Sequence, residues 1–256
     1  MKKVTPVLLL CGIACAFVVP SMPLTHGQSQ SPGQTITLPI LTYHYIESAQ
    51  WATKRSAALI TSPVIFEKQL LALQERNYRT IFVSDIPGRF ASSLHASSAI
   101  VLTFDDGYED FFVNVLPLLK KYQMKATLYV VPGFIDTQGY LTQEELKKII
   151  ASGLVEIGTH TLHHKNLTRL STEVAKMEIT GSKAALERDF GVTATSFAYP
   201  FGNHTQQIEA IVQEAGFTTA VSTDRGWGQS PQALLTLKRI PGLAFVGTRK
   251  WRAIGE

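Results

Sequence analysis

The stretch "TFDDGYEDFF", residues 103–112, ends an apolar run with two adjacent carboxylates, Asp105 and Asp106. Further along, "HTLHH" sets His160 and His164 four residues apart. In a helical turn that spacing brings two imidazoles onto one face at metal-binding separation. Two His and one carboxylate from another segment would leave a tetrahedral divalent cation, zinc above all, with one position open for water, and would lower the pKa of that water toward neutrality. Neighbouring residues on an extended backbone point to opposite sides, so only one of the two aspartates need serve as ligand. The other can accept the proton of the attacking water. Departure of a leaving group then calls for an acid, and His44, in "PILTYHYI", is the best free candidate, with His163 behind it. Plainer readings stand beside these. "DDG" suits an acidic turn, a His pair four apart suits a partly exposed surface, and His44 suits a buried strand histidine satisfied by a backbone carbonyl.

Residues of this kind need strand ends to carry them. From residue 39 onward, β-branched or aromatic runs alternate with segments of helical period, a pattern that predicts an α/β fold with a parallel sheet or barrel. The candidate strands are "PILTYHYI", "RTIFV", "AIVLTF", "ATLYVV", "LVEIGTH", "ATSFAYP", "FTTAVS" and "LTLKRI". Between them, "SPVIFEKQLLALQERN" carries Phe66, Leu70 and Leu73 on one face, and Asn77 suits a left-handed cap after it. "LTQEELKKIIASG" opens with Thr142 and Glu145 in capping-box spacing, and two further helical segments stop at Gly191 and Gly216. Eight strands with about five intervening helices predict a distorted (β/α) barrel of about seven to eight strands, whose catalytic groups lie at the C-terminal strand ends. Asp105 and Asp106, the histidines of "HTLHH", Tyr199 and Pro200 all fall at such ends.

The remaining composition narrows the setting. "MKKVTPVLLLCGIACAFVVPSMPLTHG" has a Lys2/Lys3 start, an apolar stretch from Val7 to Val19 and small residues Thr25 and Gly27 before a cleavage point, the parts of a secretory signal. The apolar stretch is shorter than the roughly 20 residues of a membrane span. The expected division is a signal peptide over 1–27, a linker over 28–37 and one domain over 38–256. Cys11 and Cys15, the two cysteines of the chain, both fall in the signal, so the mature protein is expected to lack disulfides and thiolate metal sites. Removing Lys2 and Lys3 from the formal +4 leaves +2, too little to argue for nucleic acid as a partner. The expectation is a secreted or cell-envelope protein facing a neutral or weakly charged substrate.

"TFDDG" followed by "HTLHH" resembles the first two motifs of the polysaccharide deacetylases, the carbohydrate esterase family 4 or NodB-homology domain, over roughly residues 38–242. The resemblance implies Asp105 as catalytic base and Asp106, His160 and His164 as metal ligands, with Thr161 in the Ser/Thr place and His163 at a variable position. The third motif of that family reads R-x-P-Y/F-G, and "FAYPFG" matches at Pro200, Phe201 and Gly202. Ala198 stands where an arginine normally steadies the base. Arg239, in "LKRI", is the candidate to replace it from across the barrel; otherwise it is an ordinary strand-end charge. Tyr199, Pro200 and Phe201 would border substrate, with a backbone N–H near Phe201 completing an oxyanion hole. No His follows His204 to supply the family's usual C-terminal acid. The early "YH" strand, "FAYPFG" and the final "RI" strand resemble the poly-β-1,6-N-acetylglucosamine N-deacetylase subgroup, which implies His44 as the acid and an N-acetylglucosamine polymer as substrate. Trp227 and Tyr108 are candidate sugar-stacking walls, although core packing is the commoner fate of a single aromatic; no role is assigned to Asp224. The alternatives are an O-acetyl esterase with the same metal site, acting on xylan or peptidoglycan, an inactive carbohydrate-binding protein on the same fold, and, least favoured, a glycosidase, whose two carboxylates could not be adjacent.

Overall fold

Strand β3 (Ala99–Phe104), "AIVLTF", is buried along its whole length and shows how the chain builds its layers. Its even-numbered Ile100, Leu102 and Phe104 join a cluster that includes helix residues Phe66, Leu70, Leu116, Leu119, Leu146 and Ile149. Its odd-numbered Ala99 and Val101 join a second cluster, made mostly of strand residues, with Ile40, Tyr129, Ala198, Val221 and Leu237. The period-2 alternation of a strand thus separates an outer face under helices from an inner face pointing into a barrel.

The computed structural model describes Met1 and residues 34–48, 56–91 and 98–245. Beyond Met1, the predicted signal and the first part of the linker lie outside the described residues. Besides β3 the strands are β1 (Ile40–Tyr43), β2 (Arg79–Ile81), β4 (Ala126–Val130), β5 (Val155–Thr159), β6 (Ser196–Ala198), β7 (Thr219–Arg225) and β8 (Leu237–Pro241). All their pairings are parallel, and β1 pairs with both β8 and β3, closing a ring of seven strands in the order β1, β8, β7, β6, β5, β4, β3. β2 pairs with the first half of β3, at Ala99 to Val101, while β4 takes the second half, at Thr103 and Phe104. All eight predicted strand runs are present, and the barrel prediction holds.

The helices are α1 (Pro63–Glu75), α2 (Ile86–Ala91), α3 (Leu116–Tyr122), α4 (Gln143–Ala151), α5 (Thr172–Phe190) and α6 (Gln206–Glu214). Ser62, Thr142, Ser171 and Thr205 each accept a backbone N–H from the first turn, and Thr142 and Glu145 form the full capping box. Asn77, after α1, has φ 58° and Gly191, after α5, has φ 65°, the left-handed caps expected of them. Part of the predicted linker belongs to the fold: Ile36–Thr37 pair antiparallel with Gly228–Gln229, and Ile36 packs on the barrel interior. Among the described residues no helix is long and apolar enough to cross a membrane.

The barrel is filled. A Cβ on Gly158, in β5, would lie 2.5 Å from the ring of Tyr129. Tyr129 reaches through that opening to hydrogen-bond Ser196, its hydroxyl 2.7 Å from Ser196 Oγ.

Candidate active site

Inward alternation along β3 runs Val101, Thr103, Asp105, so Asp105 is the next inward residue after the strand itself ends. Its N–H donates to Tyr43 O at 3.0 Å, which fixes the end of β3 against β1. The chain then turns through Asp106 at φ 75° and Gly107 at φ 78°, a left-handed pair that Asp and Gly tolerate best. The turn separates the two carboxylates. Asp105 faces the barrel axis, and Asp106 faces the end of β5.

Arg239, from β8, is also inward, two residues after Leu237, and is 2 % exposed. Its Nη1 donates to Asp105 Oδ1 at 2.7 Å and its Nη2 to Asp105 Oδ2 at 2.8 Å. Two more donors are placed: Nε on Ser222 O at 2.8 Å and Nη1 on Thr103 Oγ1 at 3.2 Å. The side chain of Ala198 lies in the same interior cluster, so the strand that lacks the family's arginine leaves room for one from β8. Burial by itself pushes the Asp105 carboxyl up, but the charge and hydrogen bonds of Arg239, aided by His160 and His44, outweigh it and hold the group well below the usual carboxylate range.

His44 interrupts the predicted "PILTYHYI" strand, between β1 and a short strand at Tyr45–Ile46. Ile46 is clamped by Asp110, whose Oδ2 accepts its N–H at 2.7 Å, and by Asn114, whose Nδ2 donates to its carbonyl at 2.7 Å. Held between these anchors, His44 is 23 % exposed and puts Nε2 3.9 Å from Asp105 Oδ2. It is neither the buried strand histidine of the plainer reading nor remote from the aspartate.

"HTLHH" differs from the helical turn expected of it. Thr161 at φ 63° and His164 at φ 55° are left-handed, and residues 161–163 form a turn. His160 and His164 still converge, with ring centroids 4.8 Å apart. Their Nε2 atoms lie 3.5 and 3.3 Å from Asp106 Oδ1, and the three donor atoms are all within 4.8 Å of one another. Ligand bonds of about 2.0–2.2 Å in a tetrahedron would separate neighbouring donors by about 3.3 Å, so the residues fit a divalent cation. The Nδ1 of His160 is 2.7 Å from Ala198 O; a carbonyl only accepts, so Nδ1 carries the proton and the Nε2 lone pair faces Asp106. Burial pushes the His160 imidazole down against the pull of Asp105 and Asp106, which favours this neutral form.

His163 turns away from this trio. Its backbone N–H and Nδ1 meet the two oxygens of Glu178, in α5, at 2.8 and 2.9 Å. Glu178 gave no signal in the sequence, since a glutamate within a helix is unremarkable. Tyr199 and Pro200 are buried, and the Tyr199 ring packs with Phe197, Ile208, Ile211 and Val212 beneath α6, so its side chain faces away from the mouth. Of the three residues predicted to border substrate, Phe201 alone presents its side chain: it is 60 % exposed and its ring centroid is 4.8 Å from that of His164. Tyr108 stacks on Tyr45 at 3.9 Å and lies 5.0 Å from Tyr140, and Trp227 is half-buried against the outer cluster.

Comparison with known proteins agrees with this geometry. Residues 95–220, which span β3 to the start of β7, match the family described as polysaccharide deacetylase. The chain carries a polysaccharide deacetylase domain. YxkH of Bacillus subtilis strain 168, whose name places it provisionally among these deacetylases, is 29% identical over 211 residues, 81% of this chain and 73% of that one. A poly-β-1,6-N-acetyl-D-glucosamine N-deacetylase of Staphylococcus aureus is 23% identical over 206 residues, 72% of this chain and 71% of that one. Among solved structures, the Streptococcus pyogenes deacetylase PplD, in complex with acetate, superposes with a TM-score of 0.79 at 27% identity, over 87% of this chain and 100% of that one. As a polysaccharide deacetylase the chain is a hydrolase acting on non-peptide carbon–nitrogen bonds.

Proposed function

We propose that this deacetylase removes N-acetyl groups from an exported polymer of N-acetylglucosamine, releasing acetate and leaving free amines, with zinc as its cation. The observation that carries the chemistry is the contrast between two adjacent carboxylates. Asp105 is gripped by Arg239, whereas Asp106 faces two imidazole nitrogens. The polymer is supported by the named activity of the S. aureus relative and by His44 beside the base, and export by the signal-like residues 1–27.

Asp106, His160 and His164 would hold the cation, which when bound polarises an acyl oxygen and acidifies a water. Asp105, kept ionised by Arg239, accepts a proton from the attacking water at Oδ2, the oxygen that faces His44. Arg239 fixes that carboxylate in one orientation and prevents it from turning toward the cation ligands. His44 hands a proton from Nε2 to the departing nitrogen, because an amine leaves poorly as an anion. One C–O bond forms, the C–N bond breaks, and the proton taken from water is balanced by the one delivered to nitrogen. Phe201 forms one wall of the mouth beside His164.

Acetate release by purified protein from β-1,6- and β-1,4-linked N-acetylglucosamine oligomers, with and without chelator, tests this reading. Chelator-sensitive release, strongest on the β-1,6 series, is the expected result. Release only from O-acetylated xylan or peptidoglycan would replace it with an esterase, and no release from any acetylated glycan would sink it.

A further inference from the structure

We propose that His204 is a positioning residue, a clamp that holds the Pro200–Gly202 turn so that Phe201 stays beside His164. The turn is strained. Phe201 sits at φ 60° and Gly202 at φ 71°, and a left-handed non-glycine residue costs on the order of 1–2 kcal/mol, which surrounding contacts must offset. Some of those contacts are local: Gly202 N–H donates to Tyr199 O at 2.8 Å, and Thr223 Oγ1 lies 3.5 Å from Phe201 O. Thr223 also leaves no space for a side chain at 202, since a Cβ there would come within 1.9 Å of its Oγ1.

His204 adds the tie that reaches beyond the turn. Its Nδ1 is 2.7 Å from Glu209 Oε1, on α6, and its Nε2 is 3.4 Å from Asp224 Oδ2, on β7. Carboxylates only accept, so both ring nitrogens donate when both contacts are made. The ring also lies 5.2 Å from that of Tyr199, which is buried at the other end of the turn. One imidazole therefore joins the helix that follows the turn to the strand beside it. That strand is itself tied to the base, because Ser222 O, two residues before Asp224, accepts from Arg239 Nε at 2.8 Å.

The inference rests on the deacetylase reading for what Phe201 meets, so its test has one readout that needs no activity. His204→Ala should raise KM about ten-fold with kcat changed no more than about three-fold, the pattern of lost substrate positioning. Phe201→Ala should do the same, and the double variant should be no worse than the poorer single one, because both remove one effect. Independently, chymotrypsin should cut after Phe201 several-fold faster in folded His204→Ala than in the unaltered protein, with other sites unchanged. Asp224→Asn, at a largely exposed side chain, should show a smaller version of both effects and carries the test if His204→Ala does not fold. Multiplying losses in the double variant, or unchanged cutting after Phe201, overturns the proposal. If the protein releases no acetate at all, the function above fails while the cutting experiment still decides the clamp.

Discussion

Arg239 and Asp105 meet side-on inside the barrel, two N–H donors to two carboxylate oxygens at 2.7 and 2.8 Å, with both side chains at least 97 % buried. They come from β8 and β3, the two strands that flank β1, so the pair spans the strand that leads into His44. A buried ion pair of this kind can cost as much in desolvation as it returns in attraction; what it supplies with certainty is one orientation of the carboxylate. Breaking it leaves a buried charge alone. Arg239→Met should therefore destabilise the fold by about 3–5 kcal/mol, measured by urea unfolding. Arg239→Lys, which keeps the charge but loses the fork, should recover stability more than turnover.

Under the proposed function Asp105→Asn should bind a divalent cation with unchanged stoichiometry, because Asp106, His160 and His164 are the residues placed to hold it, yet lose about 10²–10⁴ in kcat. Metal analysis after dialysis, alongside acetate release, checks both halves. Turnover close to that of the unaltered protein would falsify the assignment of the base.

His44→Ala should separate leaving groups. An amine must be protonated as it leaves, whereas an alkoxide needs less help, so the variant should lose about 10²-fold or more on an N-acetyl substrate and clearly less on an O-acetyl ester of the same sugar. Equal losses on the two substrates would remove His44 from the acid role.

Acid should weaken the metal-free protein in two windows. His160 has a folded pKa below its unfolded one, mainly through burial, so the unfolded state binds its proton more readily and stability drops as pH falls below about 6.5. Asp105 is depressed by Arg239 against the opposing effect of burial, so its contribution is complete above about 3.9 and is lost as pH falls further toward its folded value. Urea midpoints measured from pH 8 to pH 3 should show both declines. His160→Gln should abolish the upper one and leave the lower, and a single featureless slope would contradict the assignment.

Much of this site could be read from residue order because its parts sit where strand periodicity ends. The eight strand runs are apolar, β-rich and bounded by turn residues, and Asp105, Arg239 and His160 each continue the inward alternation of a strand. The substitution of Arg239 for an arginine at position 198 was legible for the same reason: both positions point into one interior. Other features depend on backbone departures that type and spacing do not encode. "HTLHH" is a turn with two left-handed residues rather than a helical one, whereas Tyr199 points outward with Phe197 because it alternates with inward Ala198, an orientation that strand period alone would give. The partners of His163 and His204 come from α5, α6 and β7, and a helix glutamate or a strand-end aspartate looks the same in sequence whether it faces solvent or an imidazole.

The ring of Tyr129 occupies the space that Gly158 leaves open, and with the apolar layer around it the barrel has no bore. A glycan therefore cannot pass through this barrel. Under the proposed function a chain laid across the rim, over His44 and Phe201, would bring a sugar in its middle to Asp105 as readily as one at its tip. Reaction without regard to chain ends would leave free amines scattered along a polymer instead of gathered at one terminus, and such a polymer carries positive charge along its whole length.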